Sequence, residues 1–322
     1  MNRSLRPLVW LLAVLLLLTT GCSALHSCLH ADDPDVLSEQ RTALREKLEA
    51  ERPTGLNASE PSLRVVVIDV GQGDSILLVS PEGKTMLVDA GPADAFDRIA
   101  AALAENGVSA LDVVVATHPH EDHIGSMAAV LDAYAVGAFY TIADEQPTPR
   151  YAAMRAALER NGCPVLPAEA GMTIPWADSC TVTVLNPIPA YADEPTELND
   201  LSVVLHVKYG ETAVLLTGDA GALAENRMLD TFPRSMLRAD LLKLGHHGSH
   251  SATGYSFFLA VDPDLTVASC AKENDYGHPH LETLSLLYET RTAFYCTDRD
   301  GTITFRLDGT SVAVEPLRKE PS

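Results

Sequence analysis

Length, composition and charge describe an ordered, acidic chain. The sequence has 322 residues, of which 46% are hydrophobic and 21% charged, and this is the composition of a globular protein with enough chain for one large core. The formal net charge of -21 argues against a high-affinity nucleic-acid binder, because such proteins rely on Lys and Arg contacts to phosphate. A bound divalent metal would reverse the sign of the potential inside a cleft, so an enzyme that holds phosphate through metal stays open.

Residues 1–21 have the pattern of a secretion signal. Arg3 and Arg6 precede an apolar run over 8–18, and small residues follow up to Gly21. The run is shorter than the roughly 20 apolar residues of a spanning helix. Cys22 after a small residue resembles the lipobox of bacterial lipoproteins, although the nearest leucine lies one place further from the cysteine than usual. We therefore expect a lipidated Cys22 and an anchor on the outer face of the cell membrane, with plain secretion or an uncleaved anchor as alternatives.

Residues 22–62 are predicted to form a tether, and residues 63–318 the functional domain. The segment 35–52 is highly charged and carries leucines at helical spacing. Proline and glycine between positions 53 and 61 then end any helix. The tether would hold the domain away from the membrane.

From residue 64 the sequence alternates between strands and helices. Strands are predicted over 64–70, 75–79 and 85–88, then a helix over 96–106, a strand over 112–117, and helices over 124–134 and 151–160. Strands follow over 181–185, 201–209 and 213–217. A third group of segments is predicted over 220–229, 241–244, 255–260, 265–268, 281–288, 302–307 and 311–314. Two halves of strands followed by helices indicate an α/β fold of two packed sheets with helices outside.

The most informative stretch is a cluster of potential metal ligands at the end of one predicted strand. Four such residues lie within six positions, in the order His-x-His-x-Asp-His, from His118 to His123. They follow the apolar run 113–117, so their side chains can point into one cleft. Nitrogen and carboxylate ligands together suit zinc or manganese.

Five motifs in one order carry a family resemblance. They are Asp69-Val70-Gly71-Gln72-Gly73-Asp74-Ser75, the stretch from His118 to Gly125, Leu216-Thr217-Gly218-Asp219, Gly245-His246-His247-Gly248-Ser249 and Tyr276-Gly277-His278-Pro279. Together they resemble the metallo-β-lactamase superfamily. More narrowly, they look like the C-terminal hydrolase domain of the DNA-uptake protein ComEC and its stand-alone relatives, over about 64–317. The resemblance implies an αββα sandwich with a metal site at one edge.

The resemblance also implies two divalent metal ions, Zn²⁺ or Mn²⁺. Asp219 would bridge them, and two such cations lower the pKa of a shared water so that the resulting hydroxide can attack phosphorus. His246 or His247 would complete the second site, and His246 is favoured as the first residue past the strand. The other implied ligands are His118 and His120 for the first metal, and Asp122 and His123 for the second.

One departure concerns the first metal. Many superfamily members supply a further histidine from the region before the Asp219 strand, where this chain has Asn199 and Ser202, as in the ComEC-like pattern. His206 lies in the middle of a predicted strand and is not expected to replace it. The first metal is therefore expected to bind weakly or to keep extra waters.

Several other residues have both a structural and a functional interpretation. Asp69, Asp74 and Asp89 lie at strand ends beside glycine, where turn hydrogen bonding and support of metal ligands are both open. His278, in a loop, is expected near the substrate, where it would donate to a phosphate oxygen or protonate the leaving group. The predicted catalytic residues are Asp122, Asp219 and His278. The predicted residues that support ligands or contact substrate are Asp69, Asp74, Asp89, Asn199, Ser202, Lys243, Ser249 and Asn274.

The domain contains four cysteines, at positions 163, 180, 270 and 296. Cys270 and Cys296 each end a predicted strand, and an extracytoplasmic location permits a disulfide between them. A buried free thiol is equally compatible with the sequence. The pairing stays open at this point.

The expected function is a membrane-anchored, metal-dependent hydrolase of phosphodiesters, with DNA as one substrate. A hydrolase of another exposed ester, such as a phosphocholine-type decoration of the cell wall, is the first alternative. A binding or scaffold module that has lost turnover is the second, and the full ligand set disfavours it.

Overall fold

A computed structural model of the chain describes residues 34–53, 59–194, 196–315 and 317. The chain divides into two units, Met1–Glu46 and Lys47–Ser322. The predicted signal and Cys22 lie outside the described residues. Among the residues described, no helix is both long and apolar enough to cross a membrane.

Fifteen strands are described, and they form two mixed sheets. In chain order they are β1 (Leu63–Val67), β2 (Ile76–Val79), β3 (Thr85–Val88), β4 (Ala110–Ala116), β5 (Ala135–Thr141), β6 (Val165–Pro167), β7 (Thr173–Ile174), β8 (Cys180–Asn186), β9 (Val204–Tyr209), β10 (Thr212–Leu216), β11 (Leu241–Lys243), β12 (Leu265–Ala268), β13 (Ala293–Cys296), β14 (Ile303–Leu307) and β15 (Val312–Val314). One sheet has the order β15-β14-β1-β2-β3-β4-β5-β6, and the other β13-β12-β11-β10-β9-β8-β7. The runs β3 to β6 and β10 to β13 are parallel.

Ten described α-helices accompany the sheets. They are α1 (Pro34–Ala50), α2 (Phe96–Glu105), α3 (Glu121–Ile124), α4 (Met127–Ala133), α5 (Pro149–Asn161), α6 (Ala222–Thr231), α7 (Arg234–Leu237), α8 (Tyr255–Val261), α9 (Leu281–Thr290) and α10 (Thr297–Asp300). Short 3-10 turns lie between β8 and β9, at Pro189–Tyr191 and Asn199–Leu201, and between β11 and α8, at Gly245–Gly248.

Alternation along the strands produces the layers. Val113 and Val115 of β4 belong to a core shared by both sheets, whereas Val114 and Ala116 belong to a second core with α2, α4 and α5. Successive strand residues point to opposite faces, so an unbroken apolar run can serve both cores at once. On the second sheet, α6, α8 and α9 bury apolar residues such as Met228, and α6 contacts α8. The predicted αββα sandwich is confirmed.

One predicted helix is interrupted in the structure, and one strand was not predicted. The predicted helix 124–134 is split into α3 and α4, because the His123 carbonyl accepts a hydrogen bond from the Ala90 N–H instead of continuing the helix. The sequence analysis also missed β5, which follows α4 after the single residue Tyr134 and so lacks a glycine or proline turn signal.

The end of the predicted tether contacts the domain. Arg52 forms a two-pronged ion pair with Asp300, with nitrogen–oxygen distances of 2.9 and 2.6 Å. Its guanidinium also lies 4.3 Å from the ring centre of Tyr295. Paired, planar contacts of this kind fix both geometry and position, so Arg52 is attached to the sandwich.

Candidate metal centre

The candidate ligands lie at the carboxyl ends of parallel strands. His118 follows β4, Asp219 follows β10, and His246 and His247 follow β11. The loop with His278 comes after β12. In α/β sheets such strand ends open onto a shared crevice, and here they bring residues from distant parts of the sequence together.

Four side chains form one compact group of potential ligands: Asp122, His123, Asp219 and His247 each offer a donor atom within 4.8 Å of the others. Nε2 of His247 lies 3.3 Å from Oδ2 of Asp122 and 3.5 Å from Oδ1 of Asp219. Nε2 of His123 lies 3.3 Å from the same Asp219 oxygen. A carboxylate and two imidazoles thus converge around one oxygen of Asp219.

This group fits a cation. Nε2 of His123, Nε2 of His247 and Oδ1 of Asp219 are buried, and each lacks a hydrogen-bond partner among the described residues. Buried polar atoms are nearly always satisfied, so three that face one another need a common partner. A divalent metal held by nitrogen and carboxylate ligands is such a partner.

The other oxygen of Asp219 faces a second group of histidines. Oδ2 lies 3.9 Å from Nε2 of His118 and 3.6 Å from Nε2 of His246. Nε2 of His118 is 2.9 Å from Nδ1 of His120, so these rings meet at the same place. Asp219 therefore presents one oxygen to each of two imidazole groups.

The structure separates the roles of the two adjacent histidines. The sequence analysis favoured His246 for the second site, but His247 lies there, beside Asp122, while His246 lies on the side of His118. His246 and His247 have left-handed backbone angles, with φ of 47° and 57°. Two such non-glycine residues in succession turn the side chains to opposite sides of Asp219. His246 thus offers a further nitrogen on the side of His118, where the first metal was expected to bind weakly or to keep extra waters.

Hydrogen bonds orient three of the histidines. Nδ1 of His123 donates to Asp89 at 2.7 Å, and Nδ1 of His247 donates to the Ser269 carbonyl at 3.0 Å. Nδ1 of His118 lies 3.3 Å from Oγ of Ser202, a group that also accepts from the Asp219 N–H. A proton on Nδ1 of His123 and of His247 leaves Nε2, the atom that faces Asp219, as the nitrogen that would bind a cation.

A buried ion pair lies behind the second group. Nζ of Lys243 is 2.9 Å from Oδ2 of Asp74, and Oδ1 of Asp74 is 3.5 Å from Nδ1 of His247. Burial alone would raise the pKa of Asp74, but Lys243 and His247 hold it well below its usual range. Lys243 is completely buried, so it supports the site through Asp74 and does not reach the cleft surface where substrate would bind.

The remaining predicted residues lie at graded distances from the site. Oδ1 of Asp69 accepts from the Gly71 N–H, which supports the turn interpretation. Ser249 contacts Ser251, whose hydroxyl is 3.2 Å from Nδ1 of His246. Asn274 accepts from the His278 N–H and donates to the His278 carbonyl, so it fixes the backbone of that histidine.

An open cleft of about 340 Å³ exposes the site to solvent. The sequence analysis had placed His120, Asp122, Asn199, Asp219 and His278 at the site, and all of them line this cleft. It had given no role to Gln72, Glu121 or Tyr276, which also line it. In the sequence, the only signs that these three residues belong to the site are their places inside the motifs and, for Gln72 and Tyr276, a neighbouring glycine.

His278 is neutral in its pocket. It is buried with no described hydrogen-bond partner for Nδ1, and Tyr276 stacks against it at a ring distance of 5.6 Å. Burial and the positive charge of His247 lower the pKa of His278 to about 3. In this neutral form its ring N–H can donate a hydrogen bond to a group in the cleft.

Residues 68–272 match the profile of the metallo-beta-lactamase superfamily. The chain belongs to the metallo-beta-lactamase superfamily. Among solved structures, the metallo-beta-lactamase fold protein YhfI from Bacillus subtilis aligns with a TM-score of 0.51 at 15% identity, and the alignment covers 76% of this chain and 99% of YhfI. At that identity the likeness concerns the fold.

Two relatives match this chain at higher identity. ComE operon protein 3 of Bacillus subtilis is 29% identical over 259 residues, which is 75% of this chain and 33% of the relative. Competence protein ComA of Neisseria gonorrhoeae is 30% identical over 269 residues, or 83% of this chain and 35% of the relative. The chain thus spans about a third of the length of these relatives, and the predicted likeness to ComEC-type proteins is confirmed.

The close approach of Gly73 to the metal motif gives a first test. A Cβ at Gly73 would lie 2.2 Å from the Asp122 carbonyl oxygen, and the residue has a φ of +137°. We expect Gly73→Ala to displace Asp122 and to weaken Mn²⁺ binding by about 10-fold or more, measured by isothermal titration calorimetry. Gly83→Ala is the matched control, because Gly83 also has a positive φ but open space around its Cα. Equal affinity in the two variants would contradict this role of Gly73.

Glu225 gives a second test, one of pH dependence. This buried residue of α6 accepts from the N–H groups of Thr253 and Gly254, at 2.5 and 2.8 Å, in the segment that follows the histidine pair. Burial, aided by Asp200 and opposed by these two hydrogen bonds, raises its pKa from 4.5 to about 7. A carboxyl group whose pKa is raised on folding stabilises the protein below its unfolded pKa, and this contribution is lost as pH rises through the folded pKa.

We therefore compare wild type with Glu225→Gln by urea unfolding at pH 4.5 and pH 8. The loss of a hydrogen-bond acceptor changes the free energy of unfolding of the variant by an amount that does not depend on pH. The free energy of unfolding of wild type relative to the variant should fall by about 3 kcal/mol between the two pH values. Glu289→Gln, at an exposed position of α9, should show no such change. A constant difference between wild type and Glu225→Gln would rule out the raised pKa.

Proposed function

We propose that the chain is a hydrolase of phosphodiesters, with DNA among its substrates, that works with two divalent metal ions. The observation that carries the proposal is the buried carboxylate of Asp219, with one oxygen toward His123 and His247 and the other toward His118 and His246. Two cations held on either side of a carboxylate act as Lewis acids and lower the pKa of bound water. Zn²⁺ and Mn²⁺ both suit the donor set.

The ligand set divides in two around that carboxylate. The first ion would be held by three imidazole nitrogens, those of His118, His120 and His246. Asp122, His123 and His247 would hold the second. Asp219 would contact both. The complete set disfavours a scaffold module without turnover, since a protein that only bound a partner would have no need of seven converging donors.

Charge explains why substrate binding depends on the metal. The cleft is lined by the carboxylates of Glu121, Asp122 and Asp219, which together repel a phosphate group. The cations would reverse the sign of this potential locally. Metal removal should therefore abolish binding of a phosphodiester as well as its hydrolysis.

The residues of the chain that face the cleft would position the substrate. The neutral ring of His278 can donate a hydrogen bond to a phosphate oxygen, and Asn274 keeps its backbone in place. Gln72 accepts from the Ala271 N–H at 3.3 Å, which leaves its side-chain amide group at the cleft wall. These few groups would orient the substrate through hydrogen bonds. Most of the binding affinity would come from the metal ions.

The wider setting is part of the same proposal. The resemblance of the five motifs to the DNA-uptake protein ComEC, together with the similarity to ComE operon protein 3 and Competence protein ComA, supports a substrate related to DNA. The negative net charge supports transient contact with DNA over tight binding. The signal-like segment and Cys22 support a lipid anchor on the outer face of the cell membrane.

The decisive assay uses the purified chain with Mn²⁺ or Zn²⁺ on bis-p-nitrophenyl phosphate and on single- and double-stranded DNA. We expect hydrolysis of the model diester and of DNA, loss of both on chelation, and a fall of about 100-fold or more in kcat/KM for Asp219→Asn. Asp69→Asn is the matched control, because this carboxylate holds a turn of the first motif and should leave the rate nearly unchanged.

Three results would change the account. Cleavage of the model diester without cleavage of DNA would redirect the proposal to a smaller or cell-wall-linked ester, such as phosphocholine. An unchanged rate in Asp219→Asn would remove the bridging carboxylate from the mechanism. Bound metal with no turnover on any of these substrates would favour the scaffold.

A further inference from the structure

Two buried cysteines lie in contact directly behind the metal centre. The Sγ atoms of Cys270 and Cys296 are 3.2 Å apart, and their residues are 0% and 1% exposed. We propose that they form a disulfide bond that holds the loop carrying His278 and the carbonyl that orients His247. This modification site lies outside the ligand set and is separate from the hydrolysis.

The backbone already holds the two cysteines together. Strands β12 and β13 are parallel neighbours, with Ala268 opposite Cys296, and Cys270 follows two residues later. Oγ1 of Thr297 accepts from the Cys270 N–H at 3.0 Å and lies 3.2 Å from the Cys270 carbonyl oxygen, to which it donates. A disulfide forms without strain only where the backbone brings the two side chains together, and these contacts meet that condition.

Cys270 lies between two contacts that shape the metal centre. On one side, the Ser269 carbonyl accepts from Nδ1 of His247. On the other, the Ala271 carbonyl accepts from Asn274, which in turn fixes the backbone of His278. Fixing Cys270 to β13 therefore restrains a metal ligand and a cleft residue together.

The bond formation is a balanced two-electron oxidation. Two S–H bonds are lost, one S–S bond forms, and two electrons and two protons reduce a donor disulfide to two thiols. Because neither thiol is accessible in the folded chain, exchange with a small-molecule or protein disulfide would take place during folding. An extracytoplasmic location, as proposed from the leader, provides such donors.

A metal ion is the competing occupant of this place. Cys270, Cys296 and Asp298 offer donor atoms within 4.8 Å of one another. A structural zinc site has four ligands, and the three donors here are one short, so this group favours a bond between the two sulfur atoms over a bound ion.

The test is to unfold and reduce the purified full chain, refold it in a mixture of reduced and oxidised glutathione, and recover the folded fraction. Free thiols are alkylated under denaturing conditions, the sample is reduced, and newly exposed thiols receive a second label before peptide mass spectrometry. We expect the second label on Cys270 and Cys296, a linked peptide pair before reduction, and the first label on Cys163 and Cys180. Mapping needs neither metal nor turnover, so it stands apart from the proposed activity.

Stability provides the second measurement. Reduction of the bond, or Cys296→Ser, should lower the unfolding midpoint by about 5–10 °C, whereas Cys163→Ser should not change it. Should Cys296→Ser fail to fold, mapping of the wild type decides alone. First-step alkylation of Cys270 and Cys296, a bond to another cysteine, or one zinc ion per cysteine pair would each overturn the proposal.

Discussion

The carboxylate of Asp219 is the constraint on which the rest of the structure depends. It is 2% exposed, and burial alone would raise its pKa, yet His247 and His123 hold the pKa well below its usual value. A buried charge is tolerated only where opposite charge surrounds it. The buried carboxylate is therefore stable only with positive charge on both sides of it. That charge comes from protonated imidazoles or from metal ions that displace their protons.

The ends of the strands bring the charged residues of the site together. The parallel strands β4, β10, β11 and β12 deliver residues from four distant segments to one edge, and a layer of hydrogen bonds behind them fixes the rings. Asp89, Asp74 and the Ser269 carbonyl each direct an imidazole. Asp89 directly follows β3, and Asp74 lies just before β2. The segments that form the apolar sheet therefore also carry the polar residues that orient the site.

Much of this could be predicted, for physical reasons. A run of potential ligands after an apolar strand points into a cleft at the strand end, and the structure places His118 to His123 at such an end, after β4. The division of His246 and His247 could not be predicted, because it depends on two left-handed backbone angles that no pattern of residue types encodes. Lys243 was predicted to support ligands or contact substrate, but its strand position did not reveal its buried partner Asp74. Strand β5 was not predicted, because only one residue separates it from α4 and no turn signal marks the boundary.

The most direct test of the central claim is anomalous X-ray diffraction from crystals grown with Mn²⁺. The account predicts two metal peaks, one beside each oxygen of Asp219, with His247 at one peak and His246 at the other. A single ion beside Asp219 with His246 turned away, or two ions that share no contact with this carboxylate, would contradict it.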